Sequence, residues 1–105
     1  MLNFYKIYGD SMEPTISSGS YIFALKKISY SVGDIVVVEI TEDLKIIKRI
    51  VAISNKKIKL SGDNNAISSS LCEPWYSEQH IMGKVILNLS CINKLLNIKE
   101  PSRIG

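Results

Sequence analysis

The stretch that most constrains this chain is residues 35–40, Ile-Val-Val-Val-Glu-Ile, a nearly unbroken run of β-branched side chains. Such side chains favour extended backbone, and a run without polar alternation belongs to a strand buried on both faces. Gly33-Asp34 provides a turn before it, and Thr41-Glu42-Asp43 turns the chain back after it. Residues 3–8, 21–25, 45–54, 57–60 and 81–89 read as further strands, with Asn55-Lys56 as a hairpin tip. Ile92, Leu95 and Leu96 have helical spacing, which predicts a short C-terminal helix before Pro101. Short strands separated by turns predict a small, mostly β domain with a bent or barrel-like sheet.

With 105 residues the chain is expected to form one domain over residues 1–105, its core at about residues 4–89. The balance of 46% hydrophobic to 22% charged residues is that of a globular protein and excludes a disordered one. A net charge of +3, spread over Lys26-Lys27, Lys48-Arg49 and Lys56-Lys57 without a long basic run, gives no reason to expect direct nucleic-acid binding. No apolar run is long enough to span a bilayer, and no charged-then-apolar leader precedes Phe4. The expectation is a cytoplasmic protein or one peripheral at the inner membrane. Cys72, His80 and Cys91 are too widely spaced for a metal-binding pattern, so two reduced thiols, no metal and no cofactor are expected.

The chemistry of the chain centres on Gly9-Asp10-Ser11-Met12-Glu13-Pro14-Thr15-Ile16, with Gly19 just after it. A serine in a rigid bend can present its hydroxyl while nearby backbone N–H groups remain free for an oxyanion. Taken alone, the stretch reads as a turn that Ser11 caps and Pro14 stiffens. A nucleophilic serine needs a base, and the strand at 45–54 contains an anomaly of the right kind. Ile46, Lys48, Ile50 and Ala52 point to one side, and Ile47, Arg49, Val51 and Ile53 to the other. Each face is apolar except for one cation. Among isoleucines, Lys48 would be desolvated, its pKa would fall, and its neutral amine could serve as a general base. The alternative is that Lys48 snorkels outward at an edge. His80, in the polar run Ser77-Glu78-Gln79-His80, is the rival base. Residues 61–78 form the longest aperiodic stretch, and loops of that length in compact domains are commonly functional.

With both residues in view, the chain resembles the serine–lysine peptidases that include bacterial signal peptidase I and the LexA-like self-cleaving proteins. The serine box is followed in order by Gly33-Asp34-Ile35-Val36-Val37, by Ile47-Lys48-Arg49-Ile50-Val51, by Gly62-Asp63-Asn64 and by Gly83-Lys84-Val85-Ile86. The resemblance implies that Ser11 is the nucleophile and Lys48 the general base. It also implies that the backbone N–H groups of Ser11 and Met12 hold the oxyanion. Signal peptidases often carry a side-chain hydroxyl two positions before the nucleophile; here that position is Gly9. Ser68, at the family's spacing after Gly62-Asp63-Asn64, matches the serine that orients the lysine amine. The Asp and Arg that follow it in signal peptidases are replaced by Ser70 and Cys72.

Only ten residues precede Ser11, fewer than the membrane anchor of signal peptidases or the DNA-binding and self-cleavage segments of LexA-like proteins require. The function expected from the resemblance is therefore a serine endopeptidase that cleaves a leader or precursor protein in trans, after small side chains. Its partner would be that protein or peptide substrate, with room for peripheral membrane contact and for a homodimer. The alternative is a spent module resembling the processed, dimeric mutagenesis proteins, acting by dimerisation and not by catalysis.

Overall fold

A computed structural model describes residues 2–27, 29–89 and 102–105 of the chain. Among these residues eight strands follow in order: β1 Leu2–Ile7, β2 Tyr21–Leu25, β3 Ile35–Thr41, β4 Leu44–Ser54, β5 Lys57–Ser61, β6 Tyr76–Ser77, β7 Ile81–Leu89 and β8 Ser102–Ile104. Single 3-10 turns lie at Ser70–Cys72 and Glu78–His80. All eight strands join one sheet in the order β6-β5-β4-β3-β7-β2-β1-β8. Every pairing is antiparallel except that of β8, which runs parallel to β1. With β6 and β8 at its two ends the order is open, so the sheet is bent and does not close into a barrel.

The bend has a local cause. Register shifts interrupt β2–β7 between Phe23 and Ala24, β3–β7 between Val37 and Val38, β3–β4 between Glu39 and Thr41, and β4–β5 between Ile50 and Ala52. An extra residue on one strand kinks it and increases its twist. The sheet therefore curls enough to enclose apolar side chains on both faces. Val36, Val37 and Val38 are all fully buried, as the β-branched run requires. Their period of two divides them: Val37 joins Ile7, Ile22 and Ile47 on one side. Val36 and Val38 join Ile46, Ile50, Ile58 and Ile81 on the other. Each such fully buried aliphatic side chain contributes about 1.5–3 kcal/mol.

The strand limits agree with the sequence reading to within a residue or two. At the hairpin tip, Asn55 and Lys56 have φ of 51° and 62°, the left-handed pair that a tight two-residue turn between twisted strands needs. Two strands, β6 and β8, were not anticipated. Through β8 the apolar core reaches beyond residue 89, because Ile104 is buried in the same cluster as Ile7. The helix expected around Ile92, Leu95 and Leu96 lies outside the described residues, as does Cys91. Among the described residues no helix is long and apolar enough to cross a membrane.

Candidate active site

The chain leaves β1 through Gly9, whose φ of 88° lets the backbone reverse sharply before Ser11. Residues 11–16 then form a tight turn in which Glu13 N–H donates to the Asp10 carbonyl (3.1 Å) and Ile16 N–H to that of Met12 (2.9 Å). Met12 and Ile16, each 1% exposed, plug this turn into the core. Ser11 is thus held at the start of a turn whose far side is immobilised by packing. The first N–H groups of such a turn have no partner within it. Among the described residues no acceptor takes the N–H of Ser11 or Met12.

A second loop braces the first. Asn64 N–H donates to the Ser11 carbonyl (2.9 Å), and the Asn64 side-chain amide donates to the Asp10 carbonyl (2.9 Å). The neighbouring Asp63 accepts from Arg49 through both carboxylate oxygens, Nε to Oδ1 at 2.8 Å and Nη2 to Oδ2 at 2.7 Å. Thr15 Oγ1 donates to the same Oδ2 (2.5 Å), and Arg49 Nη1 donates to the Gly33 carbonyl (2.7 Å). This clamp ties the serine turn to the lysine strand. The Arg49 hydrogen bond, followed by that of Thr15, holds the Asp63 carboxyl below its ordinary pKa. In the sequence, Arg49 stood out only as a cation between Ile47 and Val51 on its side of β4, and Thr15 only as a member of the serine box. A fork-shaped donor beside an aspartate box was the signal available for pairing them.

Lys48 lies opposite Val36 in the β3–β4 register and shares the face of Ile46 and Ile50. It is 3% exposed, so its stem does not carry the amine out at an edge. Nζ lies 2.7 Å from Ser11 Oγ and 3.0 Å from the main-chain oxygen of Gly105. Burial pushes the Lys48 ammonium below its ordinary pKa of 10.5, while Cys72 nearby works in the opposite direction. A buried amine with a lowered pKa in contact with a serine hydroxyl can exchange one proton with it.

Ser68 lines the same cavity of about 410 Å³ as Ser11, Lys48, Leu44 and Ile67. It is not a hydrogen-bond partner of Lys48, whose second acceptor is Gly105. Ser70 and Cys72, where the family resemblance departs, form the 3-10 turn that follows, begun by Ser69 accepting from Leu71 N–H. His80 is exposed and pairs through Nδ1 with the Glu39 carbonyl (3.2 Å), away from the cavity. Among the described residues no three His, Cys, Asp or Glu side chains gather as a metal site would require.

An open, bent β sheet that brings a serine hydroxyl onto a buried lysine is the layout of a LexA-like or signal peptidase-like domain. The chain matches the Peptidase S24-like family model over residues 2–86, and it belongs to that family. None of the curated proteins matches it.

Proposed function

We propose that the chain is a serine endopeptidase in which Ser11 and Lys48 cleave a leader or precursor segment of another protein in trans. One observation carries this reading: the 2.7 Å contact between Ser11 Oγ and the amine of a lysine only 3% exposed. With Lys48 neutral, Nζ takes the Ser11 proton as Oγ attacks the scissile carbonyl carbon. In this reading the N–H groups of Ser11 and Met12 are the oxyanion donors, and Gly9 offers no side-chain hydroxyl to add to them. Collapse of the tetrahedral adduct breaks the C–N bond, and Lys48 returns its proton to the leaving amine. Water, deprotonated by the same lysine, then hydrolyses the acyl ester and restores the Ser11 hydroxyl. Ser68, on the cavity wall, would orient Nζ once Gly105 has moved away.

The test is digestion of a peptide library and of candidate precursor proteins, with products read by mass spectrometry. Ser11→Ala and Lys48→Met should each lose cleavage by on the order of 10⁴-fold or more while remaining folded. Cleavage undiminished in both variants would sink the dyad. A spent dimerisation module is the second reading, and the Gly105 main-chain oxygen already on Lys48 is the observation in its favour. That reading requires parent and variants to be equally inactive and dimeric by sedimentation.

A further inference from the structure

A second recess, of about 280 Å³, adjoins the Ser11–Lys48 cavity. Ile67, Ser68 and Ser69 line both, so this short loop is the partition between them. The two spaces differ in chemistry. Leu44, Ile46 and Leu71 give the Ser11–Lys48 cavity an apolar wall. Ser61, Asn64, Asn65, Ser68, Ser69 and Cys72 surround the recess, and among the described residues no charged side chain lines it. Asn64 is already engaged, its amide donating to the Asp10 carbonyl and its oxygen accepting from Ala66 N–H (3.0 Å). The Ser68 hydroxyl and the Asn65 amide, by contrast, make no hydrogen bond to a described residue. Ser69 Oγ accepts from Leu71 N–H (3.2 Å) and keeps its own proton to donate. The recess also opens where the chain departs from the resemblance. Cys72, on its wall, is several atoms shorter than the arginine that signal peptidases carry at that position.

We propose that this recess is a specificity pocket for an uncharged amide or hydroxyl side chain (Asn, Gln, Ser or Thr) of the peptide that the Ser11–Lys48 cavity receives. That the peptide is a substrate rests on the peptidase reading; the side-chain preference does not. A charged side chain would give up water here without meeting a counter-ion. An aliphatic one would strip water from Asn65, Ser68 and Ser69 and return no hydrogen bond. An amide donates and accepts at once, as does Asn65, and the serine hydroxyls can answer either role. The volume exceeds that of one such side chain, which leaves room for a bridging water. Ser11 and Lys48 line the first cavity and not the second. The selected side chain therefore belongs to a residue near, but not at, the one whose carbonyl meets Ser11.

The test uses Ser11→Ala, Cys91→Ser protein, which cannot turn over and keeps Cys72 as its one thiol, incubated with a pool of short, randomised, amide-ended peptides. Alignment of the retained peptides, sequenced by mass spectrometry, should show one position enriched in Asn, Gln, Ser or Thr. Adding Asn65→Leu, a change at an exposed residue, should lower that enrichment by roughly three- to tenfold, the worth of one hydrogen bond, and leave the other positions as they were. Cys72→Phe, which fills the recess, should erase it, and Asn65→Leu covers the case in which that variant folds poorly. A retained peptide remade with a chloroacetylated side chain at the enriched position should alkylate Cys72, the thiolate displacing chloride. The same group on the next residue along, whose side chain points the other way, should not. Retention without a polar position, no retention at all, or an enrichment that Asn65→Leu leaves intact overturns the inference. Enrichment in this protein together with no cleavage by the parent counts against the peptidase reading alone.

Discussion

Gly62 stands against the backbone of Ser11 so closely that a Cβ on it would lie 2.6 Å from the Ser11 carbonyl oxygen. Real Cβ atoms do not approach a carbonyl oxygen to that distance, and neither partner here is a side chain that could rotate away. The glycine of the Gly62-Asp63-Asn64 stretch is therefore a spacer for the Ser11 turn, and it brings Asn64 within reach of the same carbonyl.

Gly62→Ala should push the Ser11 turn away from Lys48. Overpacking of this kind costs about 1–3 kcal/mol of stability. A displacement near 1 Å is enough to lower cleavage by on the order of 10²-fold. Thermal unfolding and kcat/KM measure the two effects. Full activity in Gly62→Ala would show that the 2.7 Å contact does not depend on this approach.

Asp63→Asn addresses the clamp. Arg49 and Thr15 hold the Asp63 carboxyl below its ordinary pKa of 3.8, so the folded state binds its proton less readily than the unfolded chain. The stabilisation is thus complete above about pH 4 and is lost as pH falls through the lowered folded value. At pH 7 the substitution should cost about 1–3 kcal/mol, since it leaves a charged guanidinium with a poorer partner. Urea midpoints of parent and variant should converge as pH drops below that range. A gap constant from pH 7 to pH 3 would assign the loss to packing instead.

What could be read in advance follows from how local each signal is. The Val36-Val37-Val38 run announced a doubly covered strand because β-branching and lack of alternation are properties of adjacent residues. Asn55-Lys56 announced its hairpin for the same reason. Lys48 was legible as an anomaly on its strand, but its approach to Ser11 is a contact between segments 37 residues apart. It could be foreseen only through the resemblance of the two boxes. β8 offered three residues, Ser-Arg-Ile, too few for any period, and its partner strand lies at the other end of the chain. Ser68, singled out by the spacing of the resemblance, lines the cavity of Ser11 and Lys48, whereas the second acceptor of Nζ is Gly105, at the far end of the sequence from both. Nothing local to either residue encodes that.

Lys48→Met should alter stability with a recognisable pH signature. The buried ammonium has a lowered pKa, so between that value and 10.5 the unfolded chain binds more protons than the folded one. Parent stability therefore rises with pH across this window. A methionine of similar length has no charge to desolvate. The variant should gain on the parent at neutral pH and lose that advantage as pH approaches 10.5. Parallel stability curves for the two proteins would mean that burial does not perturb this amine.

The same titration sets the rate of cleavage if Lys48 is the base. Below its lowered pKa, each pH unit should raise kcat/KM by about tenfold, because the neutral fraction grows in that proportion. The limb should level off below pH 10.5, since burial moves the amine downward from that value. Cys72 opposes this shift, so Cys72→Ala should move the midpoint of the limb to lower pH without abolishing cleavage. Lys48→Arg, whose guanidinium cannot lose its proton in this range, should be inactive at every pH. An imidazole base would produce a limb near pH 6.5 instead, and the only histidine is exposed on the Glu39 carbonyl, outside the cavity lining. A limb near that pH, unmoved by Cys72→Ala, would remove the lysine from its role.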